Sequence, residues 1–252
     1  MVLKKRNLIA LGLISTMISD ISFAASNEEQ LDETKINNII QGFLVDLNNV
    51  PSNACITLPG FGHKLPAYVK TSVLQTAGGE MRKDIDSLIK NKLMTVKINA
   101  KKGSLYPEDP DYIKGEEFPL SYIELTPEGE KFLRHDKSKP IISKSGNKIV
   151  FLTNSFCAYV LYGGMEKFTK PTKNPFDNNP HKVSWVNFLW KPDLSKTPWL
   201  ADKVLMDALP YYPEDYPKHN SKKENWARIG MMLEQSDDGV WGAGEKPYTL
   251  RW

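Results

Sequence analysis

Outside its first residues the sequence has little that would hold it in a membrane. The longest apolar run, Leu8 to Ile18, is broken by Gly12, Ser15 and Thr16. It covers about half of the roughly 20 residues that a permanent spanning helix needs. Histidine is scarce, with four residues at positions 63, 135, 181 and 219. No two of them stand at metal-ligand spacing, and no His-Glu-x-x-His is present, so no metal site is expected. The sequence also lacks a Gly-x-Ser-x-Gly elbow and a phosphate-cradling glycine loop. No linear motif therefore identifies a catalytic residue, and no cofactor is expected. There is no internal repeat, no low-complexity tract and no large excess of one charge, with 33 Lys and Arg against 30 Asp and Glu.

What is present at the N-terminus has the order of a secretory signal. Lys4, Lys5 and Arg6 precede the apolar run, Asp20 interrupts its end, and Ser22-Phe23-Ala24 places small residues where a signal peptidase reads. A polar stretch starts at Ser26. The pattern predicts cleavage near Ala24 and a free periplasmic or secreted protein, with no cysteine at the cleavage point to take a lipid and no membrane span afterwards. Losing residues 1–24 removes three basic side chains and one acidic one, and the formal charge falls from +3 to +1. The basic excess thus belongs to the targeting segment and argues against a nucleic-acid partner.

Two cysteines remain, Cys55 and Cys157, both in apolar surroundings. Export to an oxidising compartment favours a bridge between them. Two buried free thiols, or one catalytic thiol assisted by a histidine, are the alternatives.

Apolar residues at 31, 36, 39, 40, 43, 44 and 47 recur at helical spacing, so residues 28–49 are expected to form one helix, stopped by Asn48-Asn49-Val50-Pro51. Pro59-Gly60-Phe61-Gly62-His63-Lys64-Leu65-Pro66 reads as a connector. Ile85, Leu88, Ile89 and Leu93 share a second helical face, and Met94 to Ile98 alternates as a strand. A polar loop is expected from Asn99 to Pro119, followed by a strand at Tyr122 to Leu125. Thr126 then stands as a helix N-cap with Pro127 at the first helical position, and the helix is expected to continue through Leu133.

The succession of a helix, a strand, a variable loop and Tyr122-Ile123-Glu124-Leu125-Thr126-Pro127-Glu128-Gly129-Glu130-Lys131-Phe132-Leu133 resembles the wing half of a winged-helix domain. In that family a hairpin follows the recognition helix, and a closing helix opens with a similar Leu-Thr-x-x-Gly. The chain is also similar, over this segment and a strand-rich C-terminal part, to uncharacterised exported proteins of Gram-negative bacteria, a resemblance that implies no function. The segment departs from DNA-binding winged helices. Arg82, Lys83, Lys90, Asn91 and Lys92 are interleaved with Glu80, Asp84 and Asp86, and the loop carries Glu108, Asp109, Asp111, Glu116 and Glu117, which repel phosphate. A scaffold or protein-contact role is expected instead.

Past a charged linker over 136–147 the texture turns to strands at 148–152, 156–162 and 183–190. Thr197-Pro198 is expected to begin a short helix ending near Pro210. Residues 226–233 and 240–242 flank Ser236-Asp237-Asp238-Gly239, a hairpin-turn signal. The expected class is α+β, with a helical, winged-helix-like part over 25–135 and a mainly antiparallel sheet over 148–252. Tyr211, Tyr212 and Tyr216, in a proline-bounded loop, are the candidate contact residues, because tyrosine joins apolar area to a polar tip. The function expected is a non-catalytic module binding a protein of the cell envelope. An envelope hydrolase or thiol-dependent enzyme without a linear motif is the alternative.

Overall fold

Helix α1 (Glu33–Phe43) is started by Asp32, whose carboxylate accepts the Lys35 amide at 2.8 Å. In the computed structural model, residues 30–58, 63–105, 112–137, 141–142, 148–149, 152–175, 181–211 and 225–248 are described. The signal segment, residues 60–62, the acidic cluster at 108–111, most of the linker and the strand positions 150 and 151 lie outside them.

Helix α1 is shorter than its apolar spacing predicts. Asp46 accepts the Asn48 amide at 2.9 Å, and the Asn49 side chain caps the Phe43 carbonyl at 3.0 Å. These local bonds turn Leu47–Asn49 into a separate 3-10 turn. Ile36 and Ile40 are fully buried.

Strand β1 (Cys55–Thr57) follows. Next come β2 (Ala67–Lys70), α2 (Lys83–Lys90), β3 (Met94–Gly103), β4 (Phe118–Leu125), the single turn α3 (Pro127–Glu130) and β5 (Leu133–Lys137). β2, β4 and β3 form an antiparallel sheet in that order. Both ends of the expected loop, 99–103 and 118–119, are strand, because β3 runs on past a bulge that places two extra residues between the Lys97–Tyr122 and Lys101–Leu120 pairs. Asn99 takes a positive φ of 48° there, and its amide finds the Ser121 hydroxyl at 3.2 Å.

Thr126 caps α3 as expected, accepting the Gly129 amide at 3.0 Å, with Pro127 at the first position. The helix does not run on to Leu133. Phe132 turns into the core at 4% exposure, its carbonyl accepts the Cys157 amide at 2.9 Å, and Leu133 pairs with Phe156 in the next sheet. Strand pairing and burial outweigh continuation of a helix that has one turn to its name.

After the short hairpin β6 (Ile141–Ile142) and β7 (Lys148–Ile149), β8 (Leu152–Cys157) lies between β1 and β5. The larger antiparallel sheet has β11 (Lys182–Pro192) at its centre, joined by β9 (Val160–Phe168), β10 (Thr172–Lys173) and β12 (Ala227–Gln235), with β13 (Trp241–Ala243) beyond β12. The β12–β13 turn holds Gly239 at φ 83°, as its Asp-Gly signal implies. Thr197 opens only a 3-10 turn at Pro198–Ala201, since its hydroxyl is committed to the Tyr159 amide at 3.0 Å. Asp202 caps α4 (Lys203–Ala208) instead, accepting the Val204 amide at 2.9 Å.

The fold is thus mixed helix and sheet with antiparallel pairing throughout. Two buried clusters organise it, and each draws on both sides of residues 136–147. One gathers Ile85, Leu88, Ile123 and Phe132 with Phe156, Trp199 and Leu205. The other seats α1 and Cys55 against Val186, Phe188, Trp190, Ile229 and Trp241 of the large sheet. β5 and β8, from opposite sides of the expected linker, are neighbours in one sheet. A disulfide joins Cys55 to Cys157, which stand opposite one another in the β1–β8 register, with Cα atoms 4.0 Å apart and a sequence separation of 102 residues.

Candidate functional site

The two sulfurs are both used in the bridge, so neither is a thiol. The histidines are dispersed. The His63 carbonyl and His135 Nδ1 meet on the buried amide of Asn154, at 2.7 and 2.6 Å. His181 sits between two carboxylates, with Nε2 2.6 Å from Asp237 and Nδ1 3.4 Å from Glu234. Both ring nitrogens can meet an acceptor only in the imidazolium form. The hydrogen bond to Asp237 is the main cause that raises its pKa, against the opposing effect of burial. Asp237 therefore does more than shape its turn: it helps clip the start of β11 to the β12–β13 hairpin. His219 lies outside the described residues. Among the described residues no group of three or more His, Cys, Asp or Glu is placed to hold a metal ion. No helix among them is long and apolar enough to cross a membrane.

A half-open cleft of about 810 Å³ lies at the Leu161–Lys191 end of the large sheet. Its walls come from four places in the chain: Leu161 on β9, the end of β11 and the turn after it from Lys191 to Ser195, residues between Met206 and Tyr211 at the end of α4, and Asn225. A volume of this size is in the range of ligand and peptide-anchor pockets. Two of its leucines are unusually open, Leu161 at 40% and Leu194 at 53%.

Tyr211 is the one candidate contact residue of the three that the structure describes, and it lines this cleft. Its role is that of a wall. The ring packs edge-on against Trp190 at 5.2 Å, the hydroxyl donates to the Asn225 carbonyl, and burial pushes the phenol up to about 12. Tyr212 and Tyr216 lie outside the described residues. The tryptophans divide in the same way: Trp190, Trp199 and Trp241 are core, Trp185 and Trp226 are half-buried, and Trp252 is outside the described residues.

Asp193 is the cleft residue that sequence reading passed over. It is 4% exposed. Burial opposes its charge, yet hydrogen bonds from the Ser195 hydroxyl (2.6 Å) and from the amides of Lys196 (3.3 Å) and Ser195 (3.0 Å) hold the carboxyl below its ordinary range. Pro192-Asp193-Leu194-Ser195 has the composition of an Asx turn, which signals the loop but not its burial. Lys191, the cation of the wall, lies 4.8 Å from the centre of the Trp226 ring. Asp207 is taken by Lys203 at 2.8 Å, one turn earlier on α4. Among its described residues the cleft therefore offers apolar contact and one nearly buried carboxylate, hydrogen-bonded to the Ser195 hydroxyl. No protein family, no curated protein and no solved structure matches this chain.

Proposed function

We propose that this protein is exported to the periplasm, loses its signal segment near Ala24, and works there as a non-catalytic module that binds a protein of the cell envelope through the cleft beside Tyr211. The observation that carries the reading is the exposure of Leu161 and Leu194 at the mouth of a cavity of about 810 Å³. Open apolar side chains around a concavity are characteristic of contact sites. The disulfide supports the oxidising compartment. The α2–β3–β4–α3 succession supports a winged-helix-like scaffold, whose α2 carries Asp84 and Asp86 beside its lysines and suits a protein contact better than phosphate.

A photo-crosslinking amino acid at Leu194, and separately at the exposed Val45 after α1, tests the reading in the producing cell. Adducts with a defined envelope protein are expected from Leu194, absent from Val45, and lost when Leu161→Asp is added. The mass of the purified chain is expected to lack residues 1–24. Equal adducts at both positions, or a retained leader, would defeat the proposal.

A further inference from the structure

The cleft holds a carboxylate, Asp193, of which one oxygen is left without a hydrogen bond. All three hydrogen bonds received by the Asp193 carboxylate end on Oδ1. Its second oxygen, Oδ2, takes no hydrogen bond, although the side chain is nearly wholly buried, and it is not among the polar atoms sealed from solvent. Among the described residues no cation is ion-paired with it, although the nearby charge of Lys196 favours the ionised form. Displacing water from such an oxygen is unfavourable unless the incoming group donates to it, and a cationic donor compensates most fully. An anion would be repelled, and a neutral apolar group would leave the carboxylate without solvent or partner. The lining around this charge mixes polar groups with the aliphatic side chains of Leu161, Leu194, Met206 and Leu209. An ammonium or guanidinium on an aliphatic stem matches both parts, the stem lying on the leucines and the head on the carboxylate.

We propose that the cleft takes a lysine or arginine side chain of the partner polypeptide, with the cation on Asp193 Oδ2 and the stem along Leu161 and Leu194. The inference rests on the reading of the cleft as the partner-binding face and names what it recognises there. A free polyamine offers the same cation, but it has no apolar side chains for Leu161 and Leu194, whose exposure extends the surface beyond one charge.

The test uses the mature full-length protein and a fluorescent peptide, acetyl-Ala-Leu-Arg-Leu-Ala-amide, with a second peptide carrying neutral citrulline for arginine. The arginine peptide is expected to bind at least about tenfold more tightly, a margin that a charge-assisted hydrogen bond readily supplies. Asp193→Asn keeps an acceptor for the Ser195 and Lys196 amides and is expected to bring the two peptides to equal affinity. Lys191→Gln removes the wall's own cation and is expected to tighten the arginine peptide alone, about threefold as an order-of-magnitude electrostatic effect. The citrulline comparison needs no protein variant, so it decides the matter even if Asp193→Asn fails to fold. Equal binding of both peptides to the unmodified protein overturns the inference, as does displacement of the arginine peptide by spermidine at equal concentration. If neither peptide binds while the Leu194 adducts persist, the cation inference fails and the partner-binding reading stands. If the adducts are absent as well, both fail.

Discussion

The hairpin between residues 94 and 125 and the cleft between residues 161 and 211 are stabilised over different ranges. The hairpin and its closing turn are held by contacts within residues 93–129: Thr126 caps Gly129, and the Thr126 amide reaches across the hairpin to the Leu93 carbonyl at 3.2 Å. At Gly129 a Cβ would stand 1.7 Å from the Leu93 oxygen, so only glycine fits where α3 crosses the end of α2. The cleft is assembled from β9, the turn after β11 and the end of α4, and its floor depends on a sheet that is in turn seated on α1. The hairpin turn is therefore sensitive to single local changes. The cleft is sensitive to whatever holds distant segments together.

The largest effect is expected from breaking the long-range side. Replacing Cys55 and Cys157 by alanine releases a 102-residue closure and should lower unfolding stability by about 4 kcal/mol, measured by urea denaturation. If the cleft depends on distant anchoring, the Leu194 adducts fall with it, whereas unchanged adducts would mean the cleft is held locally. Gly129→Ala should cost about 3 kcal/mol through the clash with the Leu93 carbonyl. A near-neutral result would show that the crossing can relax. Thr126→Ala should cost about 1 kcal/mol, the usual worth of an N-cap, and leave peptide binding at the cleft unchanged.

The smallest effects are pH-dependent and opposite in sign. Asp193 titrates below its ordinary value of 3.8, so its contribution to stability is present above that pH and is lost as pH falls through the depressed value. His181 titrates above its ordinary 6.5, so its contribution is complete below 6.5 and is lost as pH rises through the raised value. Thermal melts of Asp193→Asn and His181→Gln across pH 3 to 9 check both. The difference from the parent should shrink at the acid end for the first and at the alkaline end for the second.

The elements legible in the sequence were those whose cause is local. The cap at Thr126-Pro127 and the Asp238-Gly239 turn follow from side chains that bond or free their own backbone. The misjudged boundaries were places where a local preference met a distant partner. Phe132 and Leu133 left the helix for the core and for β8, and Thr197 gave its hydroxyl to Tyr159, 38 residues away. At Asp46 the competition was local but of a kind that apolar spacing does not register. For the site, tyrosine content pointed to Tyr211, while Asp193, Leu161 and Leu194 gave no signal, because burial and exposure depend on what packs beside them.

Composition and order by themselves determined the mixed antiparallel class, two cysteines in apolar settings and the turns built from Pro, Gly and Asp, since these rest on covalent geometry and on bonds within a few residues. Tertiary structure alone decided that α1 seats on a sheet beginning more than a hundred residues later, that Cys55 faces Cys157, and that a carboxylate lies nearly buried under open leucines. Burial and charge environment are properties of the assembled neighbourhood, and for these residues that neighbourhood is remote in sequence.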